Sequence, residues 1–338
     1  MGIDKVKGFL LRNAAVRGIA RWRSAAKYYV AECRRFLHYG LPSAEKAGKY
    51  GYTLMLACHS LEKGLCHEHP RFFGDKKALA IAEILACHGD GLTPFEMDLG
   101  QEILAAWLSF CERDGFTREP AYSKVNDLCD AKGMARVVRR GGAGCLAYSG
   151  KGAESSPELF DRAILSRKSL RRFAGGGIDD EAFKACARHF IAAPSACNRQ
   201  MCRLYWVKRV SGREVIMRVC AAGLTGFDLE RASIFIVTFD LASFTCAEEA
   251  NQGYLNAGLA AMNFVNALHV RGVGSSFVQW VVKERDSSEL RASCNIPENE
   301  TIAVIVAAGP YPDSALIPAS KRRPLHDVVR IVEDDGAA

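Results

Sequence analysis

No apolar run in the 338 residues approaches the roughly 18 that a membrane-spanning helix requires. The opening stretch MGIDKVKGFLLRNAAVRGIARWRS lacks the unbroken apolar core and small-residue cleavage site of a secretory signal. Val6 stands where N-myristoylation wants Ser or Thr. No internal repeat is visible, and no Ser/His/Asp set or carboxylate pair stands out as a hydrolytic centre. A disulfide rhythm is missing too. The thirteen cysteines are odd in number, and Cys111, Cys186 and Cys220 sit inside apolar runs. They read as reduced, buried thiols in a cytoplasmic protein.

What is present is an ordinary globular balance, 49% hydrophobic and 25% charged. The net charge of +7 is unevenly placed. Residues 1–40 hold nine Lys and Arg against Asp4 and Glu32, so the rest of the chain is formally neutral. That arm, with Trp22, Tyr28 and Tyr29 among its cations, is a candidate for peripheral membrane contact. Packing of the arm against the body is the commoner outcome, and no nucleic-acid motif accompanies it.

Periodicity predicts helices over 3–37, from about Ser43 into LMLACHSLEKGL, across LAIAEILACHG to Gly89, and across FEMDLGQEILAAWLSFCERDG to Gly115. Nothing in 1–140 alternates like a strand. Residues 141–157 carry five glycines and three serines, as a connector would. Beyond them, strands are expected at 204–210, 233–240 and 301–309, with helices over 179–191, 248–270 and 284–294. The expected organisation is a helical region 1–140, a linker 141–157, an α+β domain 158–332 and a tail 333–338.

Four clusters in the second half bear on chemistry. In RKSLRRF, Arg167, Ser169 and Arg171 alternate and would share one side of an extended segment, where two guanidiniums and a hydroxyl suit a phosphate. A solvated basic loop is the ordinary alternative. APSACNRQ, residues 193–200, reads as a turn presenting short polar side chains. GVGSS, residues 272–276, permits a helix stop and close backbone approach, although a plain helix-to-strand connection explains it equally well. It is no dinucleotide fingerprint. Lys321-Arg322-Arg323 before Pro324 is a charge run of the kind usually solvated.

Singly these are weak; their order is specific. RKSLRRF, APSACNRQ, QGYLNAGLAAMNFVNALHVRGVGSSF, AAGPYP and KRRPL together resemble the FMN-dependent nitroreductase family over residues 160–331. The resemblance implies an α+β fold, a nitroreductase-like FMN-binding sandwich carrying an all-helical N-terminal region. It implies a homodimer with two FMN sites across the interface and NADH or NADPH as donor to a small-molecule acceptor. Arg167, Ser169 and Arg171 match the residues that grip the FMN phosphate and ribityl chain, and Lys321 and Arg323 the cations that complete the phosphate site. Pro194, Ser195, Asn198 and Gln200 match a loop reaching the flavin from the partner subunit. Gly274 and Ser275 match the turn beside the ring, and Gln279 the strand under its pyrimidine edge. Asn256 is expected to be structural. Two departures stand out. Met201-Cys202 follows Gln200 where the family has Pro-Trp, and Gln279-Trp280 replaces an acid and a glycine, so Trp280 is expected to close part of the substrate cavity.

His59 and Lys63 share a helix face in HSLEKGL, with Glu62 beside them. That string resembles one in nitroreductase-like proteins with long N-terminal extensions, some tied to surface-polysaccharide systems. The plainer reading is a capped helix end with an exposed His. Cys58, His59, Cys66, His67, Glu68 and His69 offer metal-ligating types, but their spacing fits no zinc pattern. Alternatives to an NAD(P)H oxidoreductase are a flavin-dependent oxidase or dehydrogenase of a small molecule, and a flavin-binding or flavin-free scaffold.

Overall fold

The computed structural model describes residues 14–41, 50–67, 71–134, 143–145, 156–220, 229–318 and 320–332. The first half is helical: α1 (Ala14–Arg35), continued by a π turn Phe36–Gly40, α2 (Tyr50–Leu65), α3 (Asp75–His88), α4 (Pro94–Arg113) and α5 (Pro120–Ala131). The second is α+β: α6 (Pro157–Ser166), α7 (Asp180–Ile191), β1 (Cys202–Trp206), α8 (Val210–Val219), β2 (Ser233–Asp240), α9 (Gln252–His269), β3 (Val273–Gln279), α10 (Glu284–Cys294), β4 (Glu300–Pro310) and the single turn α11 (Leu325–Val328).

Helix starts follow local chemistry. At α4 a capping box closes, with Thr93 Oγ1 accepting from Glu96 N at 3.3 Å and Thr93 N donating to Glu96 Oε2 at 2.8 Å, ahead of Pro94. At α7, Asp179 Oδ1 accepts from Ala182 N at 2.7 Å while Asp180 and Glu181 occupy the positive end of the helix dipole.

The four strands form an antiparallel sheet in the order β1-β2-β4-β3. Strand β2 is buried throughout, and its period of two sorts its side chains between two apolar layers. Phe235, Val237 and Phe239 enter a cluster with α7 and α9; Ile234 and Ile236 enter the other, with α8 and α10. The helical half has its own cluster, centred on Leu54, Leu61, Ile81, Ile103, Leu104 and Trp107. Polar contacts tie that half to the sheet. Tyr52 OH donates to Asp240 Oδ2 at 2.9 Å, and Arg35 reaches Glu284 Oε1 and the Glu300 carbonyl, each at 2.9 Å.

Several expectations need correction. The first predicted strand ends at Trp206, and Val210 instead opens α8. Residues 252–269 form the helix expected at 248–270, with a separate short turn at Ala247–Glu249 before it. Gly274 and Ser275 lie not in a turn but inside β3, paired with Gly309 and Ala308. The turn is at Gly272, whose φ of 74° suits glycine. Gly64 does not end α2, which runs to Leu65; a Cβ there would collide with the Phe73 ring. The N-terminal part of the predicted 3–37 helix, most of 141–157 and the tail 333–338 lie outside the described residues.

Candidate functional site

After α6 ends at Ser166 the chain runs extended along the outer edge of β3. Ser169 bridges Ser275 in parallel, and Leu170 N donates to the Ser275 carbonyl at 2.9 Å. Arg167, Ser169 and Arg171 are half-buried while Lys168 and Arg172 are exposed. Leu170 is the anchor, buried in the second layer. Gly274 makes room for it: a Cβ there would collide with Leu170 Cδ2 and lie 3.1 Å from both Leu170 Cβ and Tyr311 Cε1. Gly274→Ala is expected to cost about 1–3 kcal/mol by overpacking, read as a lowered thermal midpoint. An unchanged midpoint would show that the segment yields freely.

Arg167 Nε is buried and, among the described residues, has no hydrogen-bond partner. Beside it, His269 in the last turn of α9 holds Ser166 Oγ at 2.8 Å through Nε2 and the Tyr311 hydroxyl at 2.8 Å through Nδ1. Burial first, and then the Arg167 charge, push the His269 pKa down. The result is a corner with a cation whose donors are incompletely used.

The same segment defines a free edge. The Ser275 carbonyl faces away from β4, so by strand alternation the backbone groups of Phe277 and Gln279 face outward too. Past Ser275 no described strand pairs with that edge. It ends at Gln279 and Trp280, which line a cavity of about 790 Å³ together with Tyr28 and Glu32 of α1, Tyr254 and Arg291. Trp280 is turned onto α10, its Nε1 donating to Ser287 Oγ at 2.9 Å, so it walls the cavity from one side.

The 193–200 loop is a separate site. Cys197, Asn198 and Gln200 take left-handed backbone, with φ of 51°, 50° and 49°. Gln200 N donates to Ser195 Oγ at 2.9 Å, and Asn198 N to the Ser195 carbonyl at 2.8 Å. Asn256 is structural, accepting from Ala196 N at 2.9 Å. Sequence reasoning missed the main brace. Arg199, 1% exposed, makes a bidentate pair with Glu249, 2.9 Å from Nη1 and 2.6 Å from Nη2, and donates to the Ser243 carbonyl at 2.6 Å. These bonds, above all the Arg199 side chain, pull the Glu249 pKa down to about 2. Met201 is buried in the α9 core layer rather than at a ring. Pro194, Ser195 and Gln200 line a cavity of about 230 Å³ with Phe190, Cys202 and Arg203.

The structure brings Arg167, Ser169, Gly274 and Ser275 together and leaves the loop apart. Asn256, which holds the loop, and His269, beside Arg167, are thirteen residues apart on α9, about 20 Å at the helical rise. Lys321 and Arg323 are exposed and make no hydrogen bond or ion pair among the described residues. Their segment exposes Leu316, Leu325, Ile331 and Val332 as well.

Residues 164–310 match the Nitroreductase family model. They form a nitroreductase-family domain. A putative NADH dehydrogenase/NAD(P)H nitroreductase of Archaeoglobus fulgidus is 27% identical over 157 residues, 45% of this chain and 84% of that protein. Among solved structures, a putative nitroreductase in complex with FMN from Desulfovibrio desulfuricans is 23% identical, with a TM-score of 0.43, over 53% of this chain and 98% of that one. A nitroreductase with bound FMN from Desulfitobacterium hafniense is 20% identical, with a TM-score of 0.43, over 53% and 100%. The matched residues thus begin just before Arg167 and take in the whole sheet. The helical half lies outside them.

His59 is half-buried rather than exposed, 3.2 Å from Glu62 Oε2, and Lys63 is exposed. Glu68 and His69 lie outside the described residues. Among the described residues no cysteine forms a disulfide, and Cys111, Cys186 and Cys220 are buried as expected. Among the described residues no helix is long and apolar enough to cross a membrane.

Proposed function

We propose that the nitroreductase domain binds FMN along the outer edge of β3 and works as an NAD(P)H-dependent oxidoreductase on a small-molecule acceptor. The observation that carries this is the buried, unpartnered Arg167 Nε beside a free strand edge. Burying a polar group without a partner is costly, and an anion at this corner relieves it. Arg167, Ser169 and Arg171 would hold the phosphate and ribityl chain, with Lys321 and Arg323 closing over them. The outward backbone groups of Phe277 and Gln279 would orient the polar edge of the ring. Bound there, FMN supplies two-electron chemistry between NADH or NADPH and the acceptor. The 790 Å³ cavity beside Gln279 and Trp280 would admit the acceptor, and Trp280 would exclude water from one wall.

The loop carrying Pro194, Ser195, Asn198 and Gln200 would come from a second copy. Its separation from Arg167 along α9 and the apolar C-terminal segment left uncovered both favour a homodimer whose sites are completed across the interface. The same reading divides the chain into a helical region 1–140, a connector 141–157 and the flavin domain 158–332.

Protein incubated with excess FMN and desalted should be yellow and should bleach on adding NADH or NADPH without oxygen. A colourless product would overturn the flavin reading and favour a scaffold. A second measurement locates the phosphate. An anion beside Arg167 offsets its charge, so FMN should raise the His269 pKa in a nitrogen-15 NMR titration. Bound FMN with an unmoved His269 would place the phosphate elsewhere.

A further inference from the structure

Helix α1 has two faces of opposite character. Tyr28, Ala31, Glu32 and Arg35 face the body; Tyr28 and Glu32 line the large cavity and Arg35 holds Glu284 and the Glu300 carbonyl. At about 100° per residue, Ile19, Trp22, Ala26, Tyr29, Val30 and Cys33 fall in a single stripe on the opposite side, and Leu37 continues it. This stripe is bare: Ile19 is 61% exposed, Trp22 72%, Tyr29 69% and Leu37 56%. Arg23, Lys27 and Arg34, all exposed, run along one flank of it, Lys27 standing also at the rim of the large cavity. The only acid of residues 14–40, Glu32, is on the packed side and half-buried.

Charge complementarity selects the occupant. A face with several cations and no acid is repelled by a second copy of itself. Nucleic acid would satisfy the cations but leave Ile19, Val30 and Leu37 stranded in water. An anionic bilayer surface satisfies both, taking the apolar stripe at the headgroup–acyl boundary and the cations on lipid phosphates. Trp and Tyr are suited to that depth. We propose that α1 lies in the plane of an anionic membrane surface, with Ile19, Trp22, Tyr29, Val30 and Leu37 inserted and Arg23, Lys27 and Arg34 on the headgroups. The attachment is peripheral, and it does not depend on the flavin reading.

The test is flotation of the full chain with vesicles of phosphatidylcholine alone and of equimolar phosphatidylcholine and phosphatidylglycerol. The wild type should float with the anionic vesicles only and be released by high salt. The triple variant Ile19→Gln/Trp22→Gln/Tyr29→Gln should lose binding by at least tenfold, and Arg23→Gln/Arg34→Gln by roughly tenfold or more. All the substituted side chains are exposed, so the thermal midpoint should hold and show that the variants are folded. Failure of the wild type to float, or equal flotation with neutral vesicles, would overturn the proposal. So would a triple variant that floats like the wild type. A triple variant that changes the oligomeric state in solution, with no lipid binding by the wild type, would assign the stripe to contacts between copies instead.

Discussion

Arg167→Ala combined with Arg323→Ala should strip FMN from the protein. Each guanidinium would contribute a charge-assisted bond to the phosphate, about 1.5–3 kcal/mol apiece, so the pair should weaken binding by at least a hundredfold. After desalting, the flavin-to-protein ratio should fall close to zero. The flavin-free protein behaves differently. Arg167 Nε is buried without a partner, so its removal deletes a costly group, and the thermal midpoint without FMN should hold or rise slightly. That opposite response separates a binding role from a folding role. Wild-type flavin occupancy in the double variant would refute the phosphate assignment. The single variants sharpen the test, because Arg323 makes no described contact with Arg167. If Arg167→Ala alone equals the double variant, the C-terminal cations do not reach the phosphate.

Glu249→Gln should be the most destabilising polar substitution in the 193–200 loop region. Arg199 is 1% exposed and both its terminal nitrogens lie within 2.9 Å of Glu249. Neutralising the carboxylate takes away the counter-charge and one acceptor oxygen, leaving a buried guanidinium with a single amide oxygen and the Ser243 and Ala196 carbonyls, a loss of about 3–5 kcal/mol. For a domain of this size the midpoint should drop by roughly 10 °C. The pH dependence follows from the depressed carboxyl pKa. Glu249 titrates near 2 when folded and near about 4.3 when unfolded. Its stabilisation is therefore full above the unfolded value and is lost as pH falls toward the folded one. Wild type and Glu249→Gln should converge in stability at the acid end of that window. A constant gap between them down to acid pH would show that the charge pair is not the cause.

Legibility of the fold varied with how local each determinant is. Strand β2 was readable because SIFIVTFD is apolar and β-branched, and it folds within the expected bounds, Ser233–Asp240. The start of α7 was readable because its acids and its Asp179 cap are adjacent in sequence. Strand β3 was not. VGSSFVQ has a glycine and two serines, poor strand formers, and it is extended because β4 pairs along its full length. Trp280 was expected to close part of the substrate cavity; what the sequence does not show is that its orientation is held by Ser287, seven residues away on α10. Glu249 lies fifty residues beyond Arg199, and nothing between them announces the pair.

The sequence by itself determined the chemical types and their order: the Arg167-Ser169-Arg171 cluster, the 193–200 turn, the glycine-bearing stretch before Phe277, and a cationic first helix. Those properties reside in neighbouring residues and survive any fold that keeps the chain order. Tertiary structure alone decided which of them meet. It buried Arg167 Nε without a partner and set the loop about 20 Å along α9 from that corner. It also turned the apolar stripe of α1 outward. The physical reason is common to all three. Burial and distant pairing arise from packing between elements, and packing energy depends on residues far apart in the chain.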